Sequence, residues 1–515
     1  MPSLCPDKAF VFECVAHHRD MAPEALCCAL RVRGAWVTYS RQHFWDHVSS
    51  YASLFRREMS ERTLILFSKR LDVHLLAAYL GAMVAGHVPA QVSPPSSKLS
   101  AQEYARKIEH VHKITGFGAV FTDVEQRSQF EQVPGLRIYS MVPPGGASLD
   151  IPYHGGADAL VQFSSGTTGL QKGVTLTHSA IISHMRSYSG TLSLRAEDIL
   201  VSWLPLYHDM GLIACYLMPL MCGIPFYQMD PFDWVVQPDL LLATIERVRA
   251  TITFVPNFAY HLLATKGRDH DLSSMRLWVN CSEPARAQSH QAFLNRFPSL
   301  KPSSLTVCYA LAENTFAATQ SLPAEHDVHV QGGVLSCGKP IDGVDLRILD
   351  ADEQGLGEIG LRSPMLFSLF LDGTRPLDNG YYRTGDLGYL GSSGELFVTG
   401  RKKDLIIVCG KNIFPQDVEY VSSQVPGVYP GRTVAFGIWN EALGSEDLLV
   451  CAERMQEQDP GALKLAIQKA IQDETGIVPK RVEIFEHMSL VKTSSGKICR
   501  SRNRELYVTR KLNPL

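Results

Sequence analysis

No Cys-x-x-Cys pair and no Cys/His cluster with zinc-ligand spacing occurs among the 12 cysteines, which are scattered from Cys5 to Cys499. That excludes a structural zinc site read from spacing, and buried, reduced thiols are expected. An excess of one charge is also missing: 49 Lys and Arg against 52 Asp and Glu leave a formal net charge of −3. Bulk electrostatics therefore give no reason to bind nucleic acid or an anionic membrane. Two long stretches lack charged residues, 73–97 and 210–229, but neither is an unbroken apolar run. His74, Gly81, Gly86 and His87 interrupt the first, and Gly211, Pro219, Gly223 and Pro225 the second. Both fit buried segments better than membrane spans. The start, Met1-Pro2-Ser3-Leu4-Cys5-Pro6-Asp7, lacks the basic residues and apolar core of a signal peptide. A cytoplasmic protein without stable membrane insertion is the expectation.

What is present is a globular composition, 45% hydrophobic and 20% charged, over 515 residues, more than one ordinary core holds. Helical periodicity at 43–57 and 73–84 alternates with apolar runs at 63–67 and 118–122, which argues for a parallel sheet covered by helices. The Pro- and Ser-rich segment 89–98 reads as a loop between such units. Further strands are expected at 159–161, 198–203, 250–255 and 277–279. From about residue 334 the texture changes to short strand-like runs (345–349, 359–362, 395–399) separated by Gly, Asp and Pro. A small antiparallel barrel or sheet is predicted there. After Gly400-Arg401-Lys402-Lys403-Asp404 a fresh pattern begins, with strands at 405–408 and 481–485 and a helix over 462–473. These last 110 or so residues suffice for a domain of their own.

The chemistry concentrates first in Gln162-Phe163-Ser164-Ser165-Gly166-Thr167-Thr168-Gly169-Leu170-Gln171-Lys172-Gly173-Val174. Hydroxyls, close-approach glycines and one ammonium suit a polyphosphate, and Thr177-His178-Ser179-Ala180 then reads as a helix start. Gln171 stands where a Walker motif requires glycine, so that motif is excluded. Ser164 to Gly169 with Lys172 resembles the nucleotide-binding signature of the adenylate-forming superfamily: acyl-CoA synthetases, fatty acyl-AMP ligases, luciferases and peptide-synthetase adenylation domains. Further signatures follow in family order. Trp203-Leu204-Pro205-Leu206-Tyr207-His208-Asp209-Met210-Gly211 looks like the acyl-binding motif, implying acyl contacts at Tyr207, His208 and Gly211, with His208 between the nucleotide and acyl sites. His208 in place of an ammonium-binding acid argues for an uncharged acyl chain, although Asp209 follows it. Pro256-Asn257-Phe258-Ala259-Tyr260 and Asn280-Cys281-Ser282-Glu283-Pro284 are similar to fatty acyl-AMP ligases. They imply an acyl contact at Asn257 and adenine packing by Cys281, Ser282 and Glu283.

Cys308-Tyr309-Ala310-Leu311-Ala312-Glu313 resembles the adenine and metal signature: Tyr309 and Ala310 at the base, Glu313 holding Mg²⁺, and Ala312 where most members carry threonine. Tyr381-Tyr382-Arg383-Thr384-Gly385-Asp386-Leu387-Gly388 resembles the ribose signature, with Asp386 accepting from the two ribose hydroxyls. Arg401 would reach ribose or phosphate, and Lys403 would be the pivot. Val491-Lys492-Thr493-Ser494-Ser495-Gly496-Lys497 matches the loop that brings the catalytic lysine, Lys497, to the α-phosphate.

The resemblance implies an α/β protein with a large domain over 1–400, comprising two doubly wound βαβ subdomains and a small β-barrel. A hinge over 401–403 and a small mobile α+β domain over 404–515 follow. It implies ATP-dependent activation of a carboxylic acid, fatty or otherwise apolar, and transfer to a phosphopantetheine thiol. Glu283-Pro284, Ala312 and the run 412–419 look like the fatty acyl-AMP ligase branch, which loads acyl carrier proteins. The connections 313–336 and 364–383 look too short for that branch's extra insertion, which favours CoA slightly. Carrier-protein loading is the alternative. A catalytically silent relative is disfavoured by Lys172, Glu313, Asp386 and Lys497 occurring together, and nothing specific points to a luciferase-like oxygenase.

Overall fold

The computed structural model describes residues 4–95, 101–133, 135–140, 156–163, 172–322, 333–408, 411–441, 443–455, 458–493, 496–512 and 514–515. Two mostly parallel sheets carry the first part of the chain. One has six strands in the order Arg137–Tyr139, Ala119–Thr122, Leu64–Ser68, Val88–Gln91, Asp158–Phe163 and Gly173–Thr177, parallel except for its last pair. The expected helices at 43–57 and 73–84 form as Arg41–Glu58 and Val73–Val84, and the second is buried at every position except His74.

The other sheet has nine strands. Its parallel centre runs Leu305–Ala310, Leu277–Asn280, Ile252–Val255, Leu200–Ser202, Phe226–Gln228 and Leu26–Val32, flanked by antiparallel edge strands. Leu26–Val32 and its hairpin partner Ala35–Ser40 precede the six-stranded sheet in the chain yet complete the nine-stranded one, pairing with Phe226–Gln228.

Residues 89–91, expected in a loop, instead belong to the buried strand Val88–Gln91. Toward Asp158–Phe163 only Ala90 is in register, so the missing N–H of Pro89 breaks no regular ladder on that side.

A five-stranded antiparallel sheet stands where a small antiparallel barrel or sheet was expected: Asp345–Leu349, Gly357–Arg362 and Tyr381–Leu390 in order, with Leu377–Asp378 and Leu396–Arg401 both pairing with Tyr381–Leu390. The last segment is α+β. It packs Val428–Asn440, Ser445–Arg454 and Arg481–Phe485 with the helices Pro415–Ser423, Pro460–Thr475 and Arg500–Val508.

The apolar clusters divide in the same way. Two draw on residues up to Leu396, and the other two begin at Ile406 and at Val434. No described helix is long and apolar enough to cross a membrane.

Candidate active site

Strands Leu200–Ser202, Ile252–Val255, Leu277–Asn280 and Leu305–Ala310 lie side by side and parallel. The segments leaving their carboxyl ends carry four of the predicted motifs, the place where open α/β sheets bind ligands. After Leu277–Asn280 the chain turns sharply, and Ser282 takes φ 79°. That turn is tightly braced. The Glu283 carboxylate accepts the Phe258 N–H at 2.8 Å, in the first turn of helix Asn257–Lys266. The Asn257 side-chain oxygen accepts from Asn280 Nδ2 at 3.0 Å and from the Arg286 N–H at 3.1 Å. Asn257 and Glu283 thus use their polar atoms to fix the wall, an assignment the motifs did not reveal. Cys281 is buried behind it, its sulfur 3.2 Å from that of Cys308.

A cleft of about 400 Å³ opens in front of the turn, lined by Asn257, Ser282, Glu283, Tyr309, Ala310, Asp386, Arg401 and Lys497 among others. The Tyr309 hydroxyl donates to Asp386 Oδ2 at 2.7 Å, and Arg401 Nε lies 3.4 Å from Asp386 Oδ1 across the antiparallel pair. The register of that strand slips opposite Glu358–Gly360, and here Gly385 takes φ 75° while its N–H donates to Glu358 Oε1 at 3.1 Å. This bulge re-aims Asp386. Burial pushes the Asp386 carboxyl above its ordinary range, against the pull of Arg401 and the Tyr309 hydroxyl.

Glu313 sits in the tight turn Ala312–Asn314 just past Tyr309. Burial pushes its carboxyl up, Asp209 and Asp386 push the same way, and Tyr382 opposes them through a hydrogen bond. Tyr382 was not singled out from the sequence. A carboxyl destabilised by burial and like charge suits a cation, and Mg²⁺ takes few protein ligands when phosphate oxygens and water complete its shell. Among the described residues no group of three or more His, Cys, Asp or Glu is placed to hold a metal.

His208 Nδ1 lies 2.6 Å from Asp209 Oδ1, and Asp209 also accepts the Met210 N–H at 2.8 Å. Burial alone would raise the Asp209 carboxyl, yet His208, the Met210 N–H and Lys497 hold it below its usual range. Asp209 is thus engaged with His208 and the Met210 N–H. Gly211 is required by packing, since a Cβ there would come within 2.2 Å of the Pro205 carbonyl oxygen. Tyr207 lines a separate cavity of about 30 Å³ with Leu75, Gln91, Leu204, Gln228 and Phe232. The uncharged stretch beyond Gly211 is buried core over Met210–Leu217 and Met218–Cys222.

Lys497 enters the cleft from the C-terminal segment, and its ammonium donates to the Ser282 carbonyl oxygen at 2.7 Å. Burial lowers its pKa from the usual lysine range, while Glu283 and Asp209 act to raise it. Arg500, three residues on, donates to both Glu419 carboxylate oxygens at 2.8 and 2.6 Å and to Asp404 at 3.1 Å, fastening the lysine loop to helix Pro415–Ser423 and to the segment after Arg401. Lys172 lies exposed, its ammonium 5.0 Å from the Phe370 ring centre. Ser164, Ser165, Gly166, Thr167, Thr168 and Gly169 lie outside the described residues. Lys403 sits in the short turn Lys402–Asp404, directly after the strand carrying Arg401.

The family model "AMP-binding enzyme" matches residues 15–371, more than half the chain. The chain belongs to the AMP-binding enzyme family. Within that family it is 30% identical to the medium-chain-fatty-acid acyl-carrier-protein ligase JamA of Moorena producens, over 87% of this chain and 86% of JamA. A structure from work on the fatty acyl-adenylate ligases of E. coli and L. pneumophila superposes with TM-score 0.86 at 24% identity, covering 99% of each chain. McyG A-PCP complexed with phenylalanyl-adenylate superposes with TM-score 0.87 at 22% identity, covering 99% of this chain and 86% of that one. The two solved structures share the fold of this chain, and the protein is an adenylate-forming ligase.

Proposed function

We propose that the protein activates a carboxylic acid, fatty or otherwise apolar, as its acyl-AMP and passes the acyl group to a phosphopantetheine thiol. The observation that carries this reading is the Lys497 ammonium, held 2.7 Å from Ser282 O in the cleft that also presents Tyr309, Asp386 and Arg401. A substrate carboxylate oxygen attacks the α-phosphorus of ATP, the bond to the bridging oxygen breaks, and pyrophosphate leaves with that electron pair. Both reacting groups are anionic, so charge accumulates where Lys497 stands, and a preorganised ammonium stabilises it. Tyr309 and Ala310 pack the adenine against the backbone of the turn Cys281-Ser282-Glu283, while Asp386, supported by Arg401, accepts from the ribose hydroxyls. The loop 164–169 and Lys172 take the departing phosphates. Glu313 is the residue to hold Mg²⁺, whose chemistry when bound is further neutralisation of phosphate charge. Asp209 fixes the proton on His208 Nδ1, which sets the imidazole orientation between nucleotide and acyl group.

For the second step, the separate apolar cores on either side of residue 400 support a domain boundary there, with 401–403 as hinge and 404–515 as the moving part. Rotation about Lys403 withdraws Lys497 and admits the thiol. CoA and carrier proteins present the same thiol arm. The short connections favour CoA, whereas the similarity to an acyl-carrier-protein ligase over most of both chains favours a carrier. We place the carrier first. Mass analysis of products with ATP, Mg²⁺, an apolar acid and either CoA or a phosphopantetheinylated carrier decides. Acyl-carrier as the dominant thioester supports this order, whereas acyl-CoA formed at equal or greater rate overturns it.

A further inference from the structure

Arg286 belongs to the large domain, closing the turn that begins at Cys281, yet its side chain points at the small one. It is only 5% exposed. Its Nη2 donates to the Gln416 carbonyl oxygen at 3.3 Å and to Asp417 Oδ1 at 3.1 Å, and its guanidinium lies 4.4 Å from the centre of the Tyr420 ring. All three partners sit on helix Pro415–Ser423. The Tyr420 hydroxyl in turn donates to Gln288, two residues past Arg286. The same helix carries Glu419, which grips Arg500, three residues from Lys497. At its other end Arg286 is anchored through its own N–H to Asn257, the residue bracing the adenine-side turn. A continuous path of contacts therefore runs from that turn through Arg286, the helix, Glu419 and Arg500 to the lysine loop.

We propose that Arg286 is a positioning residue for the first half-reaction: it docks helix Pro415–Ser423 so that Lys497 stands in the cleft, and its contacts must part before the thiol step. Resting on the proposed function, the inference adds which contacts hold the adenylating arrangement. A guanidinium suits the task. Its planar fork binds a carbonyl and a carboxylate while its face stacks on an aromatic ring, which lysine does not reproduce. Asp417 is about half-exposed, so the pair is accessible enough to separate without unfolding either domain.

The test separates the half-reactions in Arg286→Ala, Asp417→Ala, the double variant and Arg286→Lys. Arg286→Ala should lower acid-dependent ATP–pyrophosphate exchange by about tenfold to a hundredfold, the scale of coupling between touching partners. Transfer from supplied acyl-AMP to the thiol should change less than about threefold on the same scale. That second activity also reports that the variant is folded. Asp417→Ala should move exchange in the same direction, the double variant should be no worse than Arg286→Ala, and Arg286→Lys should recover only part. Equal loss in both halves, or fully additive effects of the two alanines, overturns the proposal. Wild-type protein that exchanges pyrophosphate with no acid at all would instead overturn the proposed function.

Discussion

Up to Arg401, the groups that line the cleft are tied to one another. Tyr309 binds Asp386, Asp386 faces Arg401, and Glu283 and Asn257 brace the turn at Ser282. Lys497, from the C-terminal segment, reaches its place through a bond across the cleft to Ser282 O and, at one remove, through Arg500, Glu419 and Arg286. Tyr309, Asp386 and Arg401 are thus held between the nine-stranded and five-stranded sheets, while Lys497 arrives from the C-terminal segment. On the proposed function, a group that must act once and then withdraw is held by separable contacts. Groups that hold the nucleotide through both steps need not be.

The largest expected effect breaks the delivered side. Lys497→Ala should lower adenylation by on the order of 10²-fold or more, since its ammonium serves charge present only in the first transition state. Thioester formation from supplied acyl-AMP should remain largely intact, and equal damage to both halves would place the lysine's role elsewhere. In the wild type, the lowered Lys497 pKa implies that adenylation declines on the alkaline side before the usual lysine range, as the ammonium loses its proton. A pH–rate profile of the exchange reaction checks it.

Lys403→Pro tests the separation itself. Proline fixes φ near roughly −65° and resists rotation at the pivot. Adenylation should survive where that angle suits the first arrangement, while transfer falls by about tenfold or more, the scale of a blocked gating motion. Normal rates in both halves would move the pivot off Lys403.

The smallest effect lies on the fixed side. Burial raises the Glu313 pKa, so its ionised form costs stability at neutral pH. The sign follows from linkage. The unfolded chain gives up this proton more readily, so stability is lost as pH rises through the unfolded carboxyl range. Glu313→Gln should therefore raise Tm at neutral pH, by about 1–3 °C, while impairing adenylation. A lower Tm, read by calorimetry without nucleotide, would mean the carboxylate is stabilising as it stands.

Much of this was legible in the sequence. The strands at 345–349 and 481–485 and the helix at 73–84 form over those same residues, where local period and turn punctuation agree. The cleft gathers Ser282, Glu283, Tyr309, Ala310, Asp386, Arg401 and Lys497 from motifs spread over more than 200 residues. What stayed hidden is long-range. Local periodicity cannot tell that Leu26–Val32 leaves its neighbours to pair with Phe226–Gln228, nor that Pro89 joins a buried strand. Tyr382 beside Glu313, Asp209 behind His208 and Arg286 across the domain boundary are partners whose meaning comes from geometry, since Tyr, Asp and Arg are ordinary surface residues when read alone.

The most direct measurement is acid-dependent ATP–pyrophosphate exchange by wild-type and Lys497→Ala protein across a series of carboxylic acids in Mg²⁺. The account predicts exchange with at least one apolar acid, absent without acid and reduced on the order of 10²-fold in the variant. Exchange by the wild type that is indifferent to acid, or undiminished in Lys497→Ala, would contradict it.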